Sequence, residues 1–314
     1  MLYNVARLYY IDDMSQQQIA NIIGVSRPQV SRMLQEARNR NIVDITLNPP
    51  FDISGETLTK RLKQILKIKK ISIIEVDDVP EQDEEKRMDI LSRFSASRLE
   101  ELVKTSRRIG IGWGSTVYNT VLNLQYSHRS TDACFVPLVG SAGFSDPHYQ
   151  TNSIVDRIAE KFKAQKAFLN APAFLLDDAV IRYLKKTNNL DGQNSIWANL
   201  DAAFFSIGPP IKENVALSNA VMDQELRDRI CEDSVTDLFG RFISPDGTFC
   251  LSEDECGCLS IPHNALLKIP ERICAAIGHS KAEGLLIAAG MGIYNELITD
   301  SYTANAILKQ YATK

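Results

Sequence analysis

The sequence predicts a small all-α domain followed by a larger α/β domain built on a mostly parallel sheet. Three observations carry this. Residues 2 to 40 place their apolar side chains at helical spacing, interrupted only at Asp12-Asp13 and Gly24-Val25. Beyond residue 70 come short, mostly apolar runs: Ile71 to Val76, Arg108 to Ile111, Ala133 to Val139, Ala202 to Ile207, Arg272 to Ile277 and Glu296 to Thr299. They lack the polar alternation of a half-exposed sheet, and helical stretches separate most of them, which is the pattern of parallel strands covered on both faces. Finally, 314 residues at roughly 150 per domain give about two domains.

In chain order, Leu2, Val5, Ala6 and Tyr9 form the apolar side of a first helix. A second opens at Ser15, where Gln18 three residues on completes a capping box, and turns Ile19, Ile22 and Ile23 inward. Gly24-Val25 ends it. Ser26 and Gln29 repeat the box at the start of a third helix, with Val30, Met33, Leu34 and Ala37 inside, and Arg40-Asn41 closes it. Ile42 to Leu47 alternates as a short strand before Asn48-Pro49-Pro50, so the small domain is expected to span 1–53. An amphipathic connector helix over 54–68 has Leu58, Leu62, Ile65 and Leu66 inside and Lys60, Arg61, Lys63 and Lys67 outside. Residues 69–314 form the second domain. The acidic run Asp77 to Glu85 reads as a solvated loop leading into a helix.

Composition narrows the function. With 44% hydrophobic and 24% charged residues the chain can bury a large core, and it matches neither disordered nor fibrous compositions. The most apolar stretch, Gly284 to Ile293, is about half the ~20 residues of a bilayer-crossing helix, so no membrane span is expected. MLYNVARLYYIDD lacks the cationic and cleavage regions of a signal peptide, and six Cys are too sparse for a disulfide scaffold. A reducing, cytoplasmic setting is therefore expected. The net charge of -4 argues against a chain uniformly coated for nucleic acid.

Local charge reverses that impression. Two short helices joined by Gly24-Val25-Ser26 match a helix-turn-helix, whose second helix enters the DNA major groove. With Val30, Met33, Leu34 and Ala37 inward, the opposite stripe is Pro28, Ser31, Arg32 and Gln35, and Ser26, Arg27 and Gln29 occupy the exposed first turn. Arg and Gln read guanine and adenine edges bidentately, and Ser serves base or phosphate. Arg27, Arg32, Arg38 and Arg40 face only Glu36 within this helix. Over 1–53 five arginines balance five acidic residues, so the negative charge belongs to the rest of the chain.

In the second domain, RIGIGWGSTVYNTVL is a strand, a glycine turn and a helix start. Such a corner presents free backbone N–H groups and the positive end of a dipole, which suits a phosphate. It has neither the Gly-Lys-[ST] of a Walker loop nor the dinucleotide glycine spacing. In AAIGHSKAEGLLIAAGMG a strand ends at Ile277 and Lys281 lies in the turn before the next helix, where it could offer a point charge to a phosphate.

These segments carry a resemblance. LYYIDDMSQQQIANIIGVSRPQVSRML, GIGWGSTV, PLVGSAG, DLFGRFISPDGT and KAEGLLIAAGMGIYNELITDSYTANAIL, in this order and spacing, resemble the SorC family of sugar-responsive bacterial transcriptional regulators over essentially all 314 residues. The resemblance implies an α/β effector domain similar to sugar-phosphate isomerases and glucosamine-phosphate deaminases that keeps ligand binding and has lost turnover. It places a phosphate cradle on Gly112, Gly114, Ser115 and Thr116, a phosphate lysine on Lys281, and a sugar-hydroxyl acid on Asp237. Gly140 belongs to the PLVG turn, and the polar pair after it falls on Gln150 and Asn152. Three positions depart from the family pattern. Ser141 stands where a second glycine is common, Thr236 where a glycine usually precedes the acid, and Val139 where some relatives carry an aldehyde-capturing lysine.

Other signals point to less. Cys250, Cys256, Cys258 and His263 have no CxxC spacing, so no metal site is expected. His148 reads as a loop or rim residue and Asp300 as the cap of the last helix. The function expected is a DNA-binding regulator of a carbohydrate-utilisation operon, not an enzyme and without a cofactor. It would be controlled by a phosphorylated sugar and act on double-stranded operator DNA as a homodimer or homotetramer. The alternative is a sugar-phosphate isomerase or deaminase-like enzyme with an appended helical domain, with Asp237 as its candidate base.

Overall fold

The computed structural model describes residues 1–40, 42–43, 56–76, 78–127, 130–143, 147–175, 177–188, 190, 195–214, 217, 230, 234–251 and 258–313. The chain divides into two compact units, Met1–Pro50 and Phe51–Lys314. The expected boundary at residue 53 and most of the strand expected over 42–47 lie outside the described residues.

The first unit holds α1 (Leu2–Tyr10), α2 (Gln16–Ile23) and α3 (Arg27–Asn39). Local chemistry sets both turns. At α2 the Ser15 hydroxyl accepts the Gln18 N–H at 3.3 Å and Gln18 Oε1 accepts the Ser15 N–H at 2.9 Å. At α3 Gln29 Oε1 accepts the Ser26 N–H at 2.8 Å. Gly24 closes α2 with φ at +72°, a conformation open to glycine, and Pro28 sits in the first turn of α3, where no helical N–H bond is lost. Val5, Ile19, Ala20, Val30 and Leu34 form the core. Ile22, expected inside, is 60% exposed. At 100° per residue Ile19, Ala20 and Ile23 share one stripe, and Ile22 falls about a quarter turn outside it.

The second unit is built on a sheet of seven strands: β1 (Lys70–Ile74), β2 (Arg108–Ile111), β3 (Cys134–Pro137), β4 (Gln165–Lys166), β5 (Ala202–Phe205), β8 (Glu271–Ala275) and β9 (Glu296–Asp300). Their spatial order is β1-β9-β8-β5-β2-β3-β4, and every pairing is parallel. One face is covered by α5 (Glu84–Thr105), α6 (Ser115–Asn123) and α7 (Thr151–Phe162), through Leu91, Leu99, Val117 and Ile154. On the other, α4 (Glu56–Leu66), α10 (Ala282–Gly290) and α11 (Ser301–Ala312) contribute Leu62, Leu66, Leu285 and Ile307. Adjacent residues of β5 serve opposite faces, Phe204 one and Phe205 the other, which is why the strands read as continuous apolar runs. The remaining α-helices among the described elements are α8 (Asp178–Thr187) and the one-turn α9 (His263–Leu266).

Two features add to the sequence reading. The helix expected as a connector is α4, and its buried Leu62 and Leu66 make it part of the larger unit's core. The segment around Asp237 is a two-stranded antiparallel hairpin, β6 (Thr236–Leu238) and β7 (Arg241–Ile243). Its turn residues Phe239 and Gly240 both take positive φ, +55° and +81°, as a type I′ hairpin requires. Three-residue strands are too short for alternation to show, and a Phe-Gly turn lacks the usual Asn-Gly signal.

The hairpin packs on α10 through one complementary pair. A methyl group at Gly284 would overlap the Thr236 side chain, and the Thr236 hydroxyl donates to the Gly208 carbonyl at 2.8 Å. Gly284→Ala should therefore destabilise the protein by about 1–3 kcal/mol through overpacking. Adding Thr236→Gly should recover part of that loss, giving a favourable coupling above about 0.5 kcal/mol in urea unfolding; strict additivity would show that the two sites do not share this space.

Candidate functional sites

The larger unit's candidate site is fixed by topology. The chain leaves β2 toward β3 and leaves β5 toward β8, its neighbours on opposite sides, so a crevice opens at the carboxyl ends of β2 and β5. A cavity of about 260 Å³ lies there, lined by the start of α6, residues Ser206 to Pro209 after β5, the hairpin at Asp237, and Lys281.

The glycine loop forms one wall. Gly112 continues β2, its N–H bonding the Phe204 carbonyl at 3.0 Å, and a side chain there would come within 2.8 Å of the Phe205 Cβ. Gly114 caps α6 with φ at +102°, which favours glycine. The N–H groups of Ser115, Thr116 and Val117 that follow have no partner inside the helix and lie at its positive end.

Asp237 is only 3% exposed. Burial raises its carboxyl to about 7, opposed by the Gly240 N–H (2.7 Å to Oδ1), a hydrogen bond from the Trp113 side chain and the nearby Lys281 charge. Gly208 pairs with it in a bridge, donating its N–H to the Asp237 carbonyl at 2.9 Å; a Cβ on Gly208 would sit 3.0 Å from that of Asp237. Lys281 follows β8 after Gly278, whose φ is +117°. Burial lowers the Lys281 ammonium below its ordinary value, and Cys274, Glu84 and Asp237 oppose the shift. The cavity thus pairs a carboxyl that holds its proton to near neutrality with an amine weakened by desolvation. An incoming anion would strengthen the ammonium form.

Of the residues expected to hold an effector, Gly114, Ser115, Thr116, Asp237 and Lys281 line this cavity. The others do structural work nearby. Gly112 allows β2 to approach Phe205. Gly140 lies against the backbone of Ala171 and Pro172, where a Cβ would come within 2.6 Å of the Ala171 oxygen. Gln150 caps α7 and accepts the Ala142 N–H at 3.1 Å. Asn152 exchanges two hydrogen bonds with the Leu169 backbone, at 3.0 and 3.1 Å, leaving its amide committed. Sequence reasoning missed Trp113, Tyr149, Asn214 and the Ser206 to Pro209 segment. The last had a usable signal, since it directly follows a buried parallel strand.

On the first unit, Ser26, Arg27, Pro28, Gln29, Ser31, Arg32 and Gln35 are all exposed, with Pro28, Ser31, Arg32 and Gln35 along the stripe of α3 opposite its buried side and the other three at its N-terminal turn. Arg40 pairs with Glu36, whereas Arg27, Arg32 and Arg38 have no acidic partner among the described residues. Gln29 is partly occupied, because its Oε1 serves the helix cap and its amide N–H groups are what remain for a ligand.

Asp300 caps α11, accepting the Thr303 N–H at 2.8 Å, and also pairs with the buried Arg87. His148 stacks on Tyr118 with ring centroids 5.5 Å apart. Among the described residues no cluster of His, Cys, Asp and Glu is arranged to hold a metal, and Cys256 lies outside them. The Cys258 thiol donates to the Phe239 carbonyl at 3.1 Å. No described helix is long and apolar enough to cross a membrane.

Residues 54–309 match the Sugar-bind family of sugar-binding domains, and residues 5–54 match a Crp-like helix-turn-helix domain. The sorbitol operon regulator of Klebsiella pneumoniae is 29% identical over 312 residues, covering 98% of each chain. The deoxyribonucleoside regulator of Bacillus subtilis is 28% identical, covering 96% of this chain and 95% of the relative. The crystal structure of full-length SorC from Klebsiella pneumoniae superposes with a TM-score of 0.81 at 27% identity, covering 98% and 97% of the two chains. A parallel α/β domain with a cavity at its strand ends, joined to an arginine-bearing helix-turn-helix and matched end to end by such regulators, places this chain in the SorC family of DNA-binding transcriptional regulators.

Proposed function

We propose that the cavity of the larger unit binds a phosphorylated sugar and that its occupancy changes the affinity of the α3 surface for operator DNA. The carrying observation is the convergence of the α6 N-terminus, Asp237 and Lys281 on one small cavity. The N–H groups at the start of α6, which have no partner within the helix, and a nearby ammonium suit a phosphate. A buried carboxyl is suited to a sugar hydroxyl, either accepting from it or donating to it according to its proton. The relatives' names, which mention sorbitol and deoxyribonucleosides, support a carbohydrate-derived effector. The protein acts as a homodimer or homotetramer in the cytoplasm, because paired recognition helices match two half-sites and the effector's differential affinity for two arrangements supplies the switch.

An isomerase or deaminase activity is the second reading, favoured by one observation: a buried carboxyl near 7 has the proton affinity of a general base. It fits the attached DNA-binding unit less well, and we assign the carboxyl to ligand recognition. NMR of sugar phosphates incubated with the protein should show no conversion.

Three outcomes test the main reading. Arg32→Ala should weaken operator binding and flatten its dependence on salt by about one unit of log–log slope if the side chain meets a phosphate, or relax base preference if it meets a base; unchanged binding would remove Arg32 from the interface. In thermal unfolding, a panel of hexose and pentose phosphates should contain one that raises the melting temperature. At 100 times its dissociation constant the gain is about 2.7 kcal/mol, and Lys281→Ala should abolish it. Stabilisation by the unphosphorylated sugar with Lys281 irrelevant would contradict the assignment.

The third outcome concerns pH. The folded protein holds the Asp237 proton up to about 7, while the ordinary value is 3.8, so unfolding releases a proton between these limits. Asp237 therefore makes stability fall as pH rises through that window, by up to about 1.4 kcal/mol per unit. Urea unfolding of Asp237→Asn at pH 5 and pH 7.5 should show a smaller loss than the wild type, and equal losses would mean that Asp237 ionises normally.

A further inference from the structure

The second unit, although acidic overall, begins with a strongly basic element. Between Glu56 and Glu75 there is no acidic residue, and Lys60, Arg61, Lys63, Lys67, Lys69 and Lys70 fall within eleven positions. The core-facing side of α4 is fixed by Leu62 and Leu66, both buried. At 100° per residue Lys60, Lys63 and Lys67 then share the opposite stripe, and Arg61 flanks it. All four are exposed. Lys70 pairs with Glu296, but Arg61, Lys63, Lys67 and Lys69 have no acidic partner among the described residues. Other cationic stretches of this unit differ. On α7 Lys161 donates to the Leu122 and Leu124 carbonyls, on β4 Lys166 pairs with Asp156 of α7, and on α8 Arg182, Lys185 and Lys186 follow Asp177 and Asp178.

We propose that the exposed face of α4 is a second DNA contact, binding backbone phosphates of the same duplex that α3 reads. Charge complementarity identifies the partner. A duplex carries about one phosphate charge per 1.7 Å of axis, and a family of DNA-binding regulators brings that polyanion to this chain. Tether length makes the contact attainable. Twelve residues separate Val43 from Glu56, and a chain of that length spans at most roughly 40 Å. That is little more than one turn of duplex, about 34 Å. Lysines on a helix face contribute point charges without base selectivity, so the contact adds affinity and salt dependence and leaves sequence preference to α3.

The test uses the full chain and a duplex enriched from a random-sequence pool by the wild-type protein, prepared with flanks of 5 and of 25 base pairs. The variant is Arg61→Gln/Lys63→Gln/Lys67→Gln. Arg182→Gln/Lys185→Gln/Lys186→Gln is the charge-matched control on the same unit. On the long duplex the α4 variant should bind at least tenfold more weakly, with a log–log salt slope shallower by about 0.9 for each phosphate it no longer neutralises. The control should match the wild type, and base preference should stay unchanged. Equal slopes for the α4 variant and wild type on the long duplex would overturn the proposal. So would an equal effect of the two variants, which would reflect net charge alone. A changed oligomeric state of the α4 variant in sedimentation without DNA would also overturn it, making the stripe a protein interface. Because Arg32→Ala probes α3 separately, weakened binding by that variant with none by the α4 variant would sink only this contact.

Discussion

Burying the carboxyl of Asp237 at the end of the sheet is the constraint around which the larger unit is arranged. A carboxylate moved out of water is costly unless it is hydrogen-bonded or takes up a proton, and both remedies are present. The Gly240 N–H and the Trp113 side chain donate to it, and desolvation raises its proton affinity to near neutrality. The surrounding backbone also comes close, and glycine stands at three nearby positions. Gly208 lies against the Asp237 side chain, Gly240 completes the tight turn, and Gly284 receives Thr236. The same closeness places the carboxyl in the cavity with Lys281, whose charge in turn partly stabilises the anion. Stability and ligand recognition therefore draw on one buried group, and its ionisation is opposed by the fold and available to a ligand.

Legibility in the sequence followed the range of the interaction responsible. Both capping boxes, at Ser15 with Gln18 and at Ser26 with Gln29, span three residues, and both are formed. The parallel strands were legible because burial on both faces erases polar alternation, which a one-dimensional pattern can show. The Asp237 hairpin was not. Its strands are three residues long, and what holds them is packing against Gly208 and Gly284, distant in sequence. The same reason separates the residues expected at the site. Gly114, Ser115, Thr116, Asp237 and Lys281 converge in the cavity, while Asn152 is consumed by the Leu169 backbone and Gln150 by the Ala142 N–H. A polar residue near a helix start looks the same in sequence whether it serves a ligand or a loop. Only the loop's position tells them apart.

Thr236 shows how the hairpin is fitted to its neighbours. A side chain larger than glycine on β6 needs room on α10, and Gly284 provides it by lacking a Cβ. The Thr236 hydroxyl would be costly if unpaired, and the Gly208 carbonyl satisfies it. Thr236 thereby ties the hairpin carrying Asp237 to the loop after β5 and to the helix that starts beside Lys281. These three segments frame the cavity, so their mutual packing fixes the spacing between the carboxyl and the ammonium.

Whole-chain charge was the least informative quantity in the sequence, and the reason is physical. At ordinary ionic strength charges more than about 10 Å apart are largely screened, so a polyanion responds to the local face it meets. On α3 the arginines that have no acidic partner among the described residues lie beside exposed Gln and Ser side chains, types suited to base edges. On α4 the cations stand over a buried leucine seam, and the amphipathic pattern that anchors the helix to the core also aligns its positive charge outward. A net charge of -4 is compatible with both faces because the compensating acids are elsewhere in sequence.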